Sequence, residues 1–176
     1  MNRKLIFVVA LAVASFTMVG IALSQFPNLF GLKQAIPEIT IQEVRQLQKS
    51  QAGAEAQAVS NGLEKPNADF VLVDVRAKAE YEVSIIPGAI TASQFEADRE
   101  KYQGRTVICY CTVGYRSEFY ARKLIENGVA AKNFRGSILE WCEAQYPLET
   151  LEGQPTKRVH TYNSSYHVPP EYVAVW

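Results

Sequence analysis

Residues 106–117 of the chain read TVICYCTVGYRS, an apolar run that leads directly into a cysteine and a short loop. The residues from Glu118 onward have a helical pattern. A buried strand that feeds a helix through a short loop is typical of α/β sheets, whose ligands bind beyond the carboxyl ends of the strands. The stretch therefore predicts that Cys111 lies at the edge of a sheet where a binding site is expected.

The loop around Cys111 has features that make a thiol reactive. Backbone N–H groups of a turn and the positive end of a helix dipole favour a thiolate. Gly114 allows a positive φ, so that successive N–H groups point at one place and form an anion nest. Arg116 lies where a purely structural helix would favour Asp or Glu. These residues predict an anion-binding nucleophile site, with a buried structural cysteine and a surface arginine as the alternative.

Strand and helix patterns alternate along the chain. Residues 70–75, FVLVDV, are apolar up to Asp74, as in strands that are buried on both faces of a parallel sheet. Thr40 and Glu43 form a capping-box pattern at the start of an earlier helix, and residues 50–67 are either an extension of that helix or a solvated segment. The alternation predicts an α/β fold with a central, mainly parallel sheet.

Further helices are predicted at residues 77–83, 94–102 and 117–127. In the helix at 117–127, the residues expected to face inward are Phe119, Ala121, Leu124 and Ile125. A last helix is predicted to begin at Ser137, which acts as its cap, with Glu140 in the capping-box position.

Length and charge narrow the class of protein. The 176 residues suffice for one domain with appendages, and 48% hydrophobic with 20% charged residues is ordinary for a globular chain. Basic and acidic residues number 18 each, and 16 basic residues remain when Arg3 and Lys4 are set aside. Because no excess of positive charge favours it, nucleic acid is not expected as a partner.

The first residues differ from the rest of the chain. Arg3 and Lys4 precede the segment 5–23, which contains no charged residue. Residues 1–24 are therefore predicted to be a cleaved signal peptide or an N-terminal membrane anchor, with a buried core helix as a third interpretation. The first two place the rest of the chain outside the cytoplasm, in the periplasm or an equivalent lumen, either soluble or anchored by one N-terminal helix. Residues 25–38 are predicted to be a linker.

The three cysteines do not form a disulfide framework. Cys109 and Cys111 are too close for an easy bridge, and Cys109 is predicted to be a core residue. Cys142 is predicted to lie in the core or at the surface, and a role in resolving a persulfide is the alternative. His160 and His167 match no ligand spacing with the cysteines, so neither a metal site nor a cofactor is expected.

Three separate motifs resemble rhodanese-homology domains. Between residues 73 and 90, VDVR, EY and IPGAI are similar to the first signature of that family. Residues 111–117 resemble its active-site loop, and residues 136–141 resemble its closing motif. The likeness covers a predicted domain at residues 39–150. It implies a rhodanese-like fold, with a five-stranded, mainly parallel sheet and helices on both faces, and sulfurtransferase activity.

The resemblance also implies a mechanism. Cys111 attacks the sulfane sulfur of thiosulfate or of a persulfide donor and becomes a persulfide, which a thiophilic acceptor then consumes. Arg116 binds the anionic donor, without a metal or a cofactor. The loop residues that hold the persulfide are Thr112, Val113, Gly114, Tyr115 and Ser117. The expected partners are a small sulfur-containing anion or a thiol acceptor, and a membrane if the N-terminal segment is not cleaved.

The length of the cysteine loop and one difference from the family pattern refine the resemblance. Cys111 through Arg116 is six residues, as in sulfur-handling members, whereas related phosphatases and arsenate reductases have one residue more. Ile85 replaces a histidine that is generally structural in the family. Three nearby charged residues are predicted to hold the fold: Asp74, Arg76 and Glu80. The alternative function is a catalytically silent binding or redox-sensing module at a membrane surface.

Residues 151–176 extend beyond the usual end of the family. This C-terminal extension carries several aromatic residues: Tyr162, Tyr166, Tyr172 and Trp176. We predict that it packs on the domain and borders the mouth of the active site.

Overall fold

A five-stranded parallel sheet forms the centre of the structure. The computed structural model describes residues 35–176, so the predicted leader at 1–24 and most of the predicted linker at 25–38 lie outside the described residues. The strands of the sheet are β1 (Glu38–Ile39), β2 (Phe70–Asp74), β3 (Ile90–Thr91), β4 (Thr106–Tyr110) and β5 (Ala131–Phe134). Their order in space is β1-β5-β4-β2-β3, and every neighbouring pair is parallel. The predicted α/β class is confirmed.

Both faces of this sheet are covered by apolar side chains. Along β4, Val107 and Cys109 pack into one core, whereas Ile108 and Tyr110 pack into the other, and all four are fully buried. The alternation follows from strand geometry, in which successive side chains point to opposite faces. A strand between two cores needs apolar residues at every position, which explains the unbroken apolar run.

Helices connect the strands and cover the sheet. They are α1 (Ile41–Ser60), α2 (Lys78–Tyr81), α3 (Ala92–Ala97), α4 (Tyr115–Glu126) and α5 (Ser137–Glu143), with a 3₁₀ turn at Arg99–Tyr102. The capping box of α1 is confirmed, because the Thr40 N–H donates to Glu43 Oε2 at 2.8 Å and the Glu43 N–H donates to Thr40 Oγ1 at 3.3 Å. In the part of the chain from residue 35 to 176, no helix combines the length and apolar character needed to cross a membrane.

Three details of the predicted helices are wrong. α4 begins at Tyr115 rather than two residues later, because Gly114, with a φ of 87°, makes the turn and occupies the N-cap position. Phe119 does not face inward; it is 56% exposed and its ring packs on that of Tyr115. Ser137 does not cap α5 with its side chain, because its hydroxyl donates to the carbonyl oxygen of Phe134.

A buried ion pair holds the chain where it leaves β2. Arg76 donates to both carboxylate oxygens of Asp74, with 2.6 Å between Nη2 and Oδ2, and also donates to the carbonyl oxygen of Ser84. Both charged side chains are inaccessible to solvent. Removing one partner of such a pair leaves an uncompensated buried charge, so the loss of either side chain alone is expected to destabilise this loop. The fold-holding role predicted for Asp74 and Arg76 agrees with this position.

The C-terminal extension packs against the domain, as the sequence predicts. The short strand β6 (Leu148–Glu149) directly precedes it. The extension itself contains β7 (Pro155–Thr156), β8 (Arg158–His160) and β9 (Val173–Val175). Strands β6 and β7 pair antiparallel, whereas β8 and β9 pair parallel. Val159 and Tyr172 are buried in the same core as Ile108 and Trp141. The extension therefore completes one of the two cores of the sheet.

Candidate active site

Cys111 directly follows β4, at the carboxyl edge of the sheet. Its N–H donates to Ser137 Oγ at 3.0 Å, and its carbonyl oxygen accepts from the Ile138 N–H at 3.2 Å. The carbonyl oxygen of Thr112 accepts from the Leu139 N–H at 3.3 Å. The first turn of α5 therefore fixes the backbone of the cysteine loop.

The loop wraps around the sulfur of Cys111. The Gly114 N–H donates to Cys111 Sγ at 3.2 Å, and the N–H groups of Val113 and Ser117 also act on this sulfur, whose pKa they lower. Asn133 braces the turn, because its Nδ2 donates to the Gly114 carbonyl oxygen at 3.1 Å and its Oδ1 accepts the Ser117 hydroxyl at 2.7 Å. The Gly114 hydrogen bond and the positive φ of that residue give the loop the character of an anion nest around the sulfur.

These surroundings lower the pKa of the Cys111 thiol. Burial of the sulfur raises this pKa, but the hydrogen bonds from Ser117, Val113 and Gly114 outweigh burial. The Ser117 hydroxyl lies 3.6 Å from the sulfur and has a single proton, which it donates over 2.7 Å to Asn133. The backbone N–H groups around the start of α4 are therefore the main source of thiolate stabilisation.

The other two cysteines are not activated. Cys109 and Cys142 are both fully buried, which confirms the core position predicted for Cys109 and selects the core for Cys142. Burial raises the pKa of Cys109 far above its ordinary value and raises that of Cys142 to about 12. Since the thiolate is the nucleophile, Cys111 is the thiol that the fold prepares for reaction. Residues 35–176 contain no group of three His, Cys, Asp or Glu side chains placed to share a metal ion.

Arg116 is engaged by Glu80. Its two terminal nitrogens donate to the two carboxylate oxygens of Glu80 at 2.6 and 2.7 Å, and one of them also donates to the Thr112 hydroxyl at 2.8 Å. Burial raises the pKa of Glu80, but Arg116 and the Ala77 N–H lower it to about 2, so the carboxylate is charged at neutral pH. An anion that binds Arg116 must therefore compete with Glu80. This carboxylate belongs to the site and does not merely hold the fold.

Four of the five loop residues predicted beside Cys111 and Arg116 act on the Cys111 sulfur or contact the Arg116–Glu80 pair: Thr112, Val113, Gly114 and Ser117. The exception is Tyr115, whose side chain is 68% exposed. Residues that the sequence did not assign to the site are Glu80, Asn133, Ser137 and Tyr162. Glu80 and Ser137 lie inside the segments that resemble family motifs. Their position in those motifs is the feature of the sequence that could have assigned them to the site.

Iodoacetamide is expected to alkylate one cysteine of the folded chain, with a pH midpoint below that of an ordinary thiol. The lowered pKa of Cys111 populates its thiolate at a lower pH, and the rate falls as the pH drops through that pKa. Cys109 and Cys142 stay protonated and buried. The measurement is the rate of mass gain between about pH 5 and pH 10, with peptide mapping of the product.

The unfolded chain is the control for this alkylation profile. In guanidinium, all three cysteines should react with a midpoint near the ordinary thiol value of about 8.5. Equal midpoints for the folded and unfolded chains would contradict the lowered pKa of Cys111.

Comparisons with known proteins agree with this geometry. Residues 55–144 match the family model of the rhodanese-like domain. The chain belongs to the rhodanese-like family. A sulfurtransferase of Allochromatium vinosum is 32% identical to this rhodanese-like chain over 95 residues, covering 48% of the chain and 83% of that protein.

Two further comparisons concern one relative and one solved structure. A tRNA sulfurtransferase of Thermoplasma acidophilum is 33% identical over 63 residues, covering 36% of this chain but only 13% of that longer protein. The solved structure of a thiosulfate sulfurtransferase from Pseudomonas aeruginosa gives a TM-score of 0.51 at 22% identity, over 68% of this chain and 21% of that one. The structural likeness confirms the rhodanese-like fold, and the named relatives support a rhodanese-type enzyme.

Proposed function

We propose that this rhodanese-like chain is a sulfurtransferase that carries a sulfane sulfur on Cys111 as a persulfide. The observation that carries the proposal is the position of Cys111 at the carboxyl end of β4, where the Gly114 N–H donates to its sulfur at 3.2 Å. The loop N–H groups lower the pKa of this thiol, whereas burial raises the pKa of the other two thiols. The relatives named as sulfurtransferases support the class of reaction. The donor is thiosulfate or a persulfide, and the acceptor is a thiophilic nucleophile such as a thiol.

In the first half-reaction, the Cys111 thiolate attacks the outer sulfur of the donor. With thiosulfate, a new bond joins Cys111 Sγ to that sulfur, the S–S bond of thiosulfate breaks, and sulfite leaves with the bonding electron pair. Charge is conserved, because the persulfide keeps one negative charge and sulfite carries two. The N–H groups that stabilise the thiolate then face the persulfide anion.

In the second half-reaction, an acceptor thiolate attacks the terminal sulfur of the Cys111 persulfide. The S–S bond to Cys111 breaks, the sulfur passes to the acceptor as a new persulfide, and Cys111 leaves as a thiolate. A thiol with a lowered pKa is the better leaving group. The same N–H groups therefore assist both halves of the transfer, which needs neither an oxidant nor a reductant.

Arg116 acts from within its ion pair. Its pKa is raised first by the hydrogen bond to Glu80 and further by the neighbouring Cys111, so the guanidinium also stabilises the thiolate. The Arg116 side chain is partly exposed, whereas Glu80 is buried. Glu80 and Thr112 accept hydrogen bonds from three of the five N–H groups of Arg116, so a donor oxygen can use the Nε–H and the second Nη1–H group.

Incubation of the full-length chain with thiosulfate is expected to add the mass of one sulfur atom. Peptide mapping should place that sulfur on Cys111, and cyanide should remove it as thiocyanate. The measurement is intact mass before and after each reagent. If neither thiosulfate nor an organic persulfide adds sulfur, the proposal is overturned and a catalytically silent binding module is favoured.

A further inference from the structure

Tyr162 of the C-terminal extension lies against the site although it is outside the rhodanese-like match, which covers residues 55–144. The centroid of its ring is 5.3 Å from the guanidinium carbon of Arg116. The ring is also open to solvent, because Tyr162 is 59% exposed. The Arg116–Glu80 pair therefore has an exposed aromatic neighbour that comes from the extension of this chain.

The fold holds Tyr162 in this position. Its φ is 74°, in the left-handed region that a tyrosine rarely adopts, and its N–H donates to His160 Nδ1 at 3.0 Å. The preceding residue, Thr161, is fully buried; its N–H donates to the Val175 carbonyl oxygen at 2.9 Å, and its hydroxyl donates to the Asn163 carbonyl oxygen at 3.0 Å. Such a backbone conformation persists only where the surrounding structure determines it.

The surface around the cysteine loop is apolar and electrically balanced. Val113 and Tyr115 are exposed, and the ring of Phe119 packs edge-on against Tyr115 with 4.9 Å between the centroids. The charge of Arg116 is offset by Glu80 at 2.6 Å. A small dianion such as thiosulfate gains little from such a rim, whereas an organic group gains contact with exposed rings.

We infer that Tyr162 is a specificity-determining residue that contacts the organic group of the sulfur donor. The preferred donor is then the persulfide of a low-molecular-weight thiol, RSSH, rather than thiosulfate, and this inference rests on the proposed function. The Cys111 thiolate attacks the outer sulfur, the S–S bond of the donor breaks, and the thiolate RS⁻ leaves with the electron pair. The proton of the outer sulfur stays on the new Cys111 persulfide, while the group R lies against the ring of Tyr162.

The test compares kcat/KM for glutathione persulfide and for thiosulfate in the full-length wild type and in Tyr162→Ala. Loss of one aromatic contact is expected to lower the value for glutathione persulfide by about three- to tenfold, and the value for thiosulfate by less than about twofold. Tyr162→Phe keeps the ring and should behave like the wild type. Trp176→Ala is the matched control, because Trp176 is a similarly exposed aromatic residue of the same extension and should affect neither donor.

The outcomes separate this inference from the proposed function. An equal fall with both donors shows that Tyr162 acts only by positioning Arg116, and it overturns the inference while sulfur transfer stands. Unchanged kcat/KM values for both donors in Tyr162→Ala also overturn it, as does a loss of donor preference in Trp176→Ala as large as in Tyr162→Ala. A wild type that takes up sulfur from neither donor overturns the proposed function, and the inference with it.

Discussion

Cys111→Ser is expected to take up no sulfur from any sulfane donor, whereas the wild type gains one atom. A serine hydroxyl stays protonated at neutral pH and is a far weaker nucleophile than the thiolate that the nest stabilises. The loop itself should persist, because its contacts with Ser137, Ile138 and Asn133 use the backbone rather than the sulfur. Intact mass after incubation with thiosulfate measures loading, and thiocyanate release in the presence of cyanide measures turnover.

Cys109→Ala and Cys142→Ala are the matched controls for this substitution. Both remove a fully buried thiol with a raised pKa, so each should cost stability on the order of 1 kcal/mol through a small cavity. Sulfur loading should be retained in both. Loading that survives in Cys111→Ser, or that disappears in Cys142→Ala, would contradict the assignment of the nucleophile to Cys111.

The conformation of the cysteine loop could be predicted from the sequence because the interactions that set it are local. A strand, a cysteine, a glycine with a positive φ and a helix start follow one another within residues 106–117, and each sets the conformation of the next. The residues whose N–H groups lower the pKa of Cys111 are Val113, Gly114 and Ser117, which lie at most six positions away. The convergence of N–H groups on one sulfur is therefore encoded in one short segment.

Partners from distant segments could not be predicted in the same way. Glu80 follows β2, yet it pairs with Arg116 because parallel strands bring their carboxyl ends to the same edge of the sheet. Ser137 and Glu140 have the spacing of a capping box, but a φ of 55° at Ser137 turns its hydroxyl toward the Phe134 carbonyl and the Cys111 N–H. Residue spacing alone does not distinguish a serine that caps a helix from one that hydrogen-bonds to a neighbouring loop.

The contact of Tyr162 with Arg116 was still harder to predict from the sequence. The sequence placed an aromatic extension near the site, but no pattern indicated which of its rings would reach Arg116. That choice depends on the parallel pairing of β8 with β9 and on the burial of Val159 and Thr161. Only the packed structure identifies the residue.

Gly114→Ala is expected to lower the free energy of unfolding by about 2 to 5 kcal/mol and to raise the pKa of Cys111. A left-handed conformation costs an alanine about 1 to 2 kcal/mol, and overpacking typically costs about 1 to 3 kcal/mol more. Gly114 has a φ of 87°, and an added Cβ would lie 2.1 Å from the carbonyl oxygen of Arg135, a backbone atom that cannot rotate away. Urea denaturation measures the first effect, and the pH midpoint of Cys111 alkylation measures the second.

The pKa of Cys111 should move because the same clash displaces a hydrogen-bond donor. The Gly114 N–H lies 3.2 Å from Cys111 Sγ, and relief of the contact with Arg135 pushes this backbone segment away. Burial of the sulfur, which raises the pKa, is then opposed by fewer N–H groups, so the thiolate forms only at higher pH and sulfur loading slows at neutral pH.

Gly128→Ala separates the clash from the backbone strain. Gly128 has a φ of 78° at the end of α4, and an added Cβ there has nothing within 4 Å. The free energy of unfolding should therefore fall only by the cost of the left-handed conformation, about 1 to 2 kcal/mol. Its alkylation midpoint should equal that of the wild type. If the two glycine variants lose the same stability and leave the Cys111 midpoint unchanged, the close approach of Arg135 to the loop does not position the nest. A larger loss in Gly114→Ala, together with a raised midpoint, shows that the packing of the loop on Arg135 helps to lower the pKa of Cys111.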